Sequence, residues 1–131
     1  MYEALLMPDS VAVIGASRTP GKVGYEIVQN LADGGFEGRI IPVNPAAEEI
    51  CGLKCYPSLK DYGQKIDMSI IAVPPKYVRE AVTSSIDARA KALVVITAGF
   101  KEVGEDGARL EQEIAELCKK RGVSLLGPNC L

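Results

Sequence analysis

Hydrophobic residues in this chain alternate between short continuous runs and stripes at helical spacing. Five runs of four to six residues are rich in β-branched side chains and too short for helices, which predicts buried strands. They lie at residues 11–14, 40–43, 68–73, 93–97 and 123–126.

The segments between these runs carry helical patterns. Apolar residues recur three and four apart at residues 23–31, 78–86 and 110–118, whereas residues 58–63 have room for only one or two turns. The resulting order is β-α-β-(short α)-β-α-β-α-β. This alternation predicts an α/β fold, a Rossmann-like doubly wound parallel sheet of five strands with right-handed crossovers.

Pro42 conflicts with this pattern because it falls inside the second apolar run. Proline has no backbone N–H and removes a hydrogen bond from a strand ladder. We therefore expect the second strand to end early or to carry a bulge at Pro42.

The composition of the chain excludes several classes of function. The chain has 131 residues, a net charge of −2 and 24% charged residues, so it offers no basic field for nucleic acid. No apolar run approaches the roughly 20 residues needed to cross a bilayer. The four cysteines have no histidine beside them, which argues against a metal site. Reduced thiols, packed or partly exposed, in a cytoplasmic protein are the expectation.

The first connection carries the clearest chemical signal. Ligands of open parallel sheets bind at the carboxyl ends of the strands, where strand order reverses. Here Gly15 directly follows the first run, and Gly21 and Gly24 precede the first helix. Such glycines let backbone N–H groups approach phosphate oxygens, although a plain structural turn would look similar. Ser17, Arg18 and Lys22 add a hydroxyl and two cationic groups in the same loop.

Two common nucleotide sites fit this loop poorly. In a Walker loop a hydroxyl residue follows the lysine, but Val23 follows Lys22 here. An NAD site has an acid at the end of the second strand, and this position holds Asn44. NAD is therefore disfavoured as the ligand.

Seven motifs together resemble one family, along essentially the whole chain. They are residues 10–17 (SVAVIGAS), 20–24 (PGKVG), 42–45 (PVNP), 52–58 (GLKCYPS), 72–74 (AVP), 97–100 (TAGF) and 127–131 (GPNCL). The chain resembles the N-terminal CoA-binding domain of ADP-forming (NDP-forming) acyl-CoA synthetases, relatives of the succinyl-CoA synthetase α subunit. The resemblance implies a Rossmann-like domain that binds coenzyme A.

The resemblance also implies roles for particular residues. Those expected at the phosphates are Gly15, Ser17, Gly21, Lys22, Val23 and Gly24. Those expected near the adenosine end are Val43, Asn44 and Pro45, with Val73 and Pro74 beside the cofactor. Those expected along the pantetheine arm and thiol are Thr97, Ala98, Gly99 and Asn129. Relatives often carry a lysine where this chain has Ala46, and Lys54 or Arg18 are possible substitutes.

Synthetases of this family interconvert acyl-CoA, ADP and phosphate with the free acid, ATP and CoA. They work through an acyl phosphate and a phosphorylated histidine. This chain has no histidine, so the resemblance implies that the histidine-bearing domain and an ATP-grasp domain or subunit are its partners. Residues 1–131 would then be one domain of a longer chain, with no catalytic residue of its own. The alternatives are a CoA-sensing regulatory module, for example fused to a protein acetyltransferase, and an NAD-binding regulator.

Overall fold

The five predicted strands form one parallel sheet in the computed structural model, which describes residues 8–96 and 104–127, the side chains of 104–106 excepted. A short two-stranded hairpin stands beside the sheet. In chain order the elements are β1 (Ser10–Ile14), α1 (Val23–Asp33), β2 (Arg39–Val43), β3 (Glu49–Ile50), β4 (Leu53–Lys54), α2 (Leu59–Tyr62), β5 (Met68–Ile71), α3 (Pro75–Asp87), β6 (Ala92–Val95), α4 (Gly104–Arg121) and β7 (Ser124–Leu126).

The order of strands across the sheet is β2-β1-β5-β6-β7, and all four pairings are parallel. The chain steps outward from β1 to β2 and then crosses back to β5 on the other side of β1. Strand order therefore reverses between β1 and β5, which makes this gap the topological switch point. The predicted α/β, Rossmann-like fold is confirmed.

Helices cover both faces of the sheet, so apolar side chains are buried on each. On one face, Val28 of α1 packs in a cluster with Val11 and Val13 of β1. On the other, Val78 of α3 and Ile114 of α4 belong to a larger cluster. Burial on both faces explains why the strands read as continuous apolar runs rather than as alternating patterns.

Strand β2 runs unbroken through Pro42, so the expected early end or bulge is wrong. Val13 lies opposite Pro42 in a regular register. The reason is that β2 is the edge strand, and the main-chain groups of Pro42 point away from β1. Its carbonyl accepts the N–H of Tyr56 at 3.0 Å on the outer side. Proline thus removes no bond from the ladder between β1 and β2.

The hairpin of β3 and β4 was not predicted. Its two-residue turn consists of Cys51 at φ 52° and Gly52 at φ 78°, the left-handed pair of a type I′ turn. The hairpin tip lies against α1, where the neighbouring Cys51 thiol raises the pKa of the Tyr25 phenol.

The cysteine thiols that the structure describes are packed, as predicted. Cys51 is half-buried, and Cys55 and Cys118 are buried, which raises the pKa of both buried thiols. Within residues 8–96 and 107–127, no cluster of three or more acids, cysteines or histidines could hold a metal ion. In the same part of the chain no helix has the length and apolar character to span a bilayer.

Candidate functional site

The connections after β1, β2 and β5 meet at the carboxyl end of the sheet. The sheet ladder extends one residue beyond the strands there. The N–H of Gly15 donates to the Val43 carbonyl at 3.2 Å, and the N–H of Ala72 donates to the Ile14 carbonyl at 2.8 Å. The loop between β1 and α1 therefore begins at the switch point, held between its two neighbours.

Two glycines let this loop pack against its neighbours at backbone distance. A Cβ on Gly15, whose φ is 94°, would stand 2.3 Å from the Ala72 oxygen. A Cβ on Gly24 would stand 2.0 Å from the Gly15 oxygen. Because real side chains do not tolerate such distances, glycine at both positions is what allows α1 to start on top of the loop.

The far end of the loop is a type II turn from Thr19 to Lys22. Gly21 has φ 92°, and the Lys22 N–H donates to the Thr19 carbonyl at 3.2 Å. The Thr19 N–H is held by the Ser17 hydroxyl at 3.0 Å. Among the hydrogen bonds of the described residues, none uses the N–H of Ser17, Arg18 or Val23. These donors are left for a ligand.

Two of the helices that begin at this end of the sheet, α1 and α3, lack side-chain caps. Neither Lys22 before α1 nor Pro74 before α3 caps the following N–H groups. The short helix α2, in contrast, is capped by Ser58, whose hydroxyl accepts the Asp61 N–H. Uncapped N–H groups and the helix dipole together give the start of α1 a positive potential that favours an anion.

Asn44 ties the loop after β1 to the loop after β2. Its amide nitrogen donates to the Ala16 carbonyl at 2.8 Å, and its amide oxygen accepts the N–H groups of Ala46 and Ala47 at 2.7 and 3.2 Å. With these bonds made, the Asn44 side chain shapes the site and is not free to hold ribose hydroxyls as an acid would in an NAD site. The geometry agrees with the sequence argument against NAD.

Exposed cationic side chains lie at this end of the sheet. Arg18, Lys22 and Lys76 are exposed there, and the Lys76 ammonium lies 5.0 Å from the ring centre of Tyr77, itself 48% exposed. The acid nearest the loop in sequence is Glu26, whose carboxylate accepts the Gly21 N–H at 3.1 Å. Neither Tyr77 nor Glu26 was predicted as a site residue. Their positions beside the site follow from how the loops pack in three dimensions, which the sequence does not show.

The structure brings eleven predicted residues to the connections after β1, β2 and β5. They are Gly15, Ser17, Arg18, Gly21, Lys22, Val23, Gly24, Asn44, Pro45, Val73 and Pro74. Val43 ends β2 itself with its side chain 7% exposed, and Gly24 is also buried, so both contribute packing. The predicted residues Thr97, Ala98, Gly99 and Asn129 lie outside the described residues.

Of the proposed substitutes for a lysine at position 46, Arg18 is in the loop after β1 and Lys54 is on the hairpin. Both side chains are exposed, and the Lys54 ammonium lies 5.1 Å from the ring centre of Tyr56. Arg18 is the one of the two that belongs to the glycine-rich loop itself.

A cavity of about 750 Å³ lies elsewhere in the described part of the chain. It lies at the amino end of the sheet, between the ends of α2 and α3, and includes Lys60, Lys65 and Arg89. None of the predicted residues that the structure describes lines it. A phosphate site formed by backbone donors on an open loop need not be a deep cavity, so we place the candidate site by its donors and cations.

Several known proteins are similar to this chain over nearly all of its length. The chain is 50% identical over 125 residues to an ADP-forming acetate–CoA ligase II of Archaeoglobus fulgidus, covering 95% of this chain and 19% of that protein. It is 43% identical, with a TM-score of 0.90, to the dinucleotide forming acetyl-coenzyme A synthetase 1 of Ca. Korarchaeum cryptofilum, solved with phosphate and ADP, covering 98% of this chain and 27% of that one.

A third likeness is to a small protein. A conserved hypothetical protein from Pyrococcus furiosus is 32% identical with a TM-score of 0.71, and the match covers 89% of this chain and 90% of that one. In contrast, the chain spans only 17–28% of the length of five ADP-forming acetate–CoA ligases or subunits that it matches.

A family model identifies the domain that this chain shares with both the long and the short relatives. The model for the CoA binding domain matches residues 9–131, nearly the whole chain. The loop, the switch point and the relatives agree with it, and the chain belongs to the CoA binding domain family found in ADP-forming acetyl-CoA synthetases.

Proposed function

We propose that this domain binds CoA along the carboxyl end of the sheet and presents the CoA thiol to an acyl phosphate formed on other domains. The whole protein would be an ADP-forming acyl-CoA synthetase of the acetyl-CoA type, with CoA as its substrate. The observation that carries the proposal is the loop after β1. Its glycines pack at backbone distance while the N–H groups of Ser17, Arg18 and Val23 keep no internal partner among the described residues.

The charges of the loop suit the phosphates of CoA. CoA carries a pyrophosphate and a 3′-phosphate, and the loop offers free N–H groups, an uncapped helix start, Arg18 and Lys22. The pyrophosphate is proposed to lie at the start of α1, where the positive potential is strongest. Roles for Asn44, Pro45, Val73 and Pro74 at the rest of the cofactor stay predictions, as do those of the four residues outside the described part.

The chemistry of the thiol requires other domains. The CoA sulfur would attack the acyl carbon of the acyl phosphate, forming the C–S bond and releasing phosphate as the C–O bond breaks. The thiol proton leaves with the released phosphate, as hydrogen phosphate. Because the chain contains no histidine, a phosphohistidine would belong to a partner domain, and an ATP-grasp domain or subunit would bind the nucleotide. Residues 1–131 would be one domain of that assembly.

A second candidate is a CoA-binding module without catalytic domains. The small protein of Pyrococcus furiosus, of which this chain covers 90%, indicates that the fold also occurs nearly alone. Formation of ATP by the full-length protein that depends on acyl-CoA, with ADP and phosphate supplied, separates the two candidates. Turnover supports the synthetase, whereas CoA binding without turnover supports the module.

Titration calorimetry of the domain with CoA, dephospho-CoA and NAD⁺ at fixed salt tests the binding itself. We expect CoA to bind more tightly than NAD⁺. Lys22→Ala should weaken CoA binding about tenfold, the loss of one charged hydrogen bond to phosphate. Lys91→Ala is the matched control, because Lys91 is an exposed lysine at the amino end of the sheet.

Three results would contradict the proposal. Tighter binding of NAD⁺ than of CoA would assign the site to another ligand. An equal loss of CoA affinity in Lys22→Ala and Lys91→Ala would show that the effect comes from net charge alone and not from a contact of Lys22. No CoA binding by the domain or by the full-length protein would remove CoA as the ligand.

A further inference from the structure

The phosphate loop is held at its outer end by an acid from the helix that follows it. The Gly21 N–H donates to a carboxylate oxygen of Glu26 at 3.1 Å, five residues further along in the first turn of α1. Apart from Gly21 and its two chain neighbours, no described residue has an atom within 4 Å of where a Cβ of Gly21 would stand. The turn therefore has no packing at this point to support it and depends on hydrogen bonds.

The Lys22 carbonyl accepts the N–H groups of Tyr25 and Glu26 in the first turn of α1, and among the described residues two hydrogen bonds hold the N–H groups of Gly21 and Lys22. One is the Lys22 N–H to the Thr19 carbonyl, and the other is the bond to Glu26. Loss of the bond to Glu26 would free Gly21. Gly21 has φ 92°, and glycine has more backbone freedom than any other residue type. The main chain of Lys22 stays held by the bonds of its own N–H and carbonyl, so the change would fall on the Gly21 peptide that precedes it in the turn.

An acid near a helix start is favourable without any such role, because it complements the helix dipole. That effect needs only the charge of Glu26 and not its contact with Gly21. A carboxylate beside an anion site also repels the incoming phosphate, so its charge opposes the ligand. The hydrogen bond and the charge of Glu26 thus have opposite effects on CoA binding, and glutamine can separate them.

We propose that Glu26 is a positioning residue of the CoA site, acting through the hydrogen bond that holds Gly21 and not through its charge. This inference rests on the proposed function of the loop. In this role Glu26 fixes the shape of the turn. That shape sets where Lys22 and the free N–H groups of the loop meet the phosphates.

The test compares Glu26→Gln, which keeps an oxygen acceptor, with Glu26→Ala, which removes it. CoA affinity is measured by calorimetry, thermal midpoints by circular dichroism, and the exchange rate of the Gly21 amide by NMR. Glu80→Ala is the control, since Glu80 is an exposed acid on α3. We expect Glu26→Ala to weaken CoA binding about fivefold or more. Glu26→Gln should bind as tightly as the wild type or more tightly, and the midpoints should not follow this order.

Each other outcome overturns the inference or is decided by the amide measurement. Equal or tighter CoA binding by Glu26→Ala would show that the carboxylate competes with phosphate. Equal weakening by both variants would show that the charge matters and the acceptor does not. If the wild type bound no CoA, the proposed function would fail. Gly21 exchange would then decide the bracing role alone, with faster exchange in Glu26→Ala but not in Glu26→Gln supporting it and unchanged exchange refuting it.

Discussion

At the amino end of the sheet, Asp67 makes hydrogen bonds with groups of two neighbouring segments. Its N–H donates to the carbonyl and hydroxyl of Ser10, its carbonyl accepts the N–H groups of Lys91 and Ala92, and its carboxylate accepts the Asp9 N–H at 2.8 Å. At the carboxyl end, the described loop after β1 leaves comparable donors without such partners. One end closes its hydrogen bonds within the fold, and the other keeps donors for a ligand.

The hydrogen bonds at the amino end stabilise the fold, and the carboxyl end is the proposed binding site. Variants at the amino end should change the free energy of unfolding and leave CoA affinity unchanged. Variants of the loop should change CoA affinity, and those that also disturb packing should change both. Four substitutions test the comparison, beginning with the largest expected effect.

Gly15→Ala should be the most damaging. The new methyl group would meet the Ala72 oxygen at 2.3 Å, and φ 94° is strained for alanine. Overpacking and backbone strain together should lower the free energy of unfolding by about 3 kcal/mol or more and abolish CoA binding. Chemical denaturation and calorimetry measure both.

Gly35→Ala is the matched control for that substitution. Gly35 has φ 80°, but no described atom lies within 4 Å of where its Cβ would stand, and it follows α1 far from the loop. It should cost only the backbone strain, about 1 kcal/mol, with CoA binding intact. A loss in Gly15→Ala no larger than in Gly35→Ala would refute the close packing of Gly15 on Ala72.

Asp67→Ala should destabilise the domain without weakening CoA binding. It removes the carboxylate that accepts the Asp9 N–H, which should cost about 2 kcal/mol of unfolding free energy. Asp67→Asn keeps an oxygen acceptor and should cost less. Denaturant melts compared with CoA titrations check this, and a CoA affinity that fell with either variant would break the distinction between the two ends.

Gly21→Ala should act mainly on binding. The site is open, so only the strain of φ 92° applies, about 1 kcal/mol. Part of that strain should be relieved by a change in the turn, which would lower CoA affinity about fivefold. Calorimetry measures this, and an unchanged affinity would show that the turn does not position the phosphate donors.

Arg89→Gly should have the smallest effect and the opposite sign. Arg89 follows α3 at φ 67°, where its N–H and that of Ala90 close the helix on the carbonyls of Ile86 and Ser85. Glycine usually occupies this position of a helix end. The substitution should raise the free energy of unfolding by about 0.5 kcal/mol, with CoA affinity unchanged. A lower thermal midpoint would show that the arginine side chain stabilises the fold.

Much of the fold could be predicted from the sequence because the strands are buried on both faces. Continuous apolar runs such as residues 11–14 and 40–43 are distinct from helical stripes, and glycines and prolines mark the ends. The hairpin of β3 and β4 was missed because each strand has only two residues, and its turn uses Cys51 where Asn or Asp is usual.

The remaining features depend on which elements become neighbours. Pro42 was misjudged because a sequence does not show that β2 lies at the edge with that residue facing outward. The glycines and cations of the first loop were predicted, since their chemistry is local. The bonds of Asn44 and the contact of Glu26 with Gly21 join residues through side-chain geometry, which spacing alone does not indicate.

The outward position of Pro42 also bears on how the molecule behaves in concentrated solution. An exposed edge strand is a template on which strands of other molecules can stack. Here the Pro42 carbonyl and the Asn44 N–H are already taken by Tyr56, and Pro42 has no N–H to offer. The opposite edge strand, β7, has only three residues. We expect neither edge to seed fibrous aggregation, so the domain should stay dispersed at high concentration.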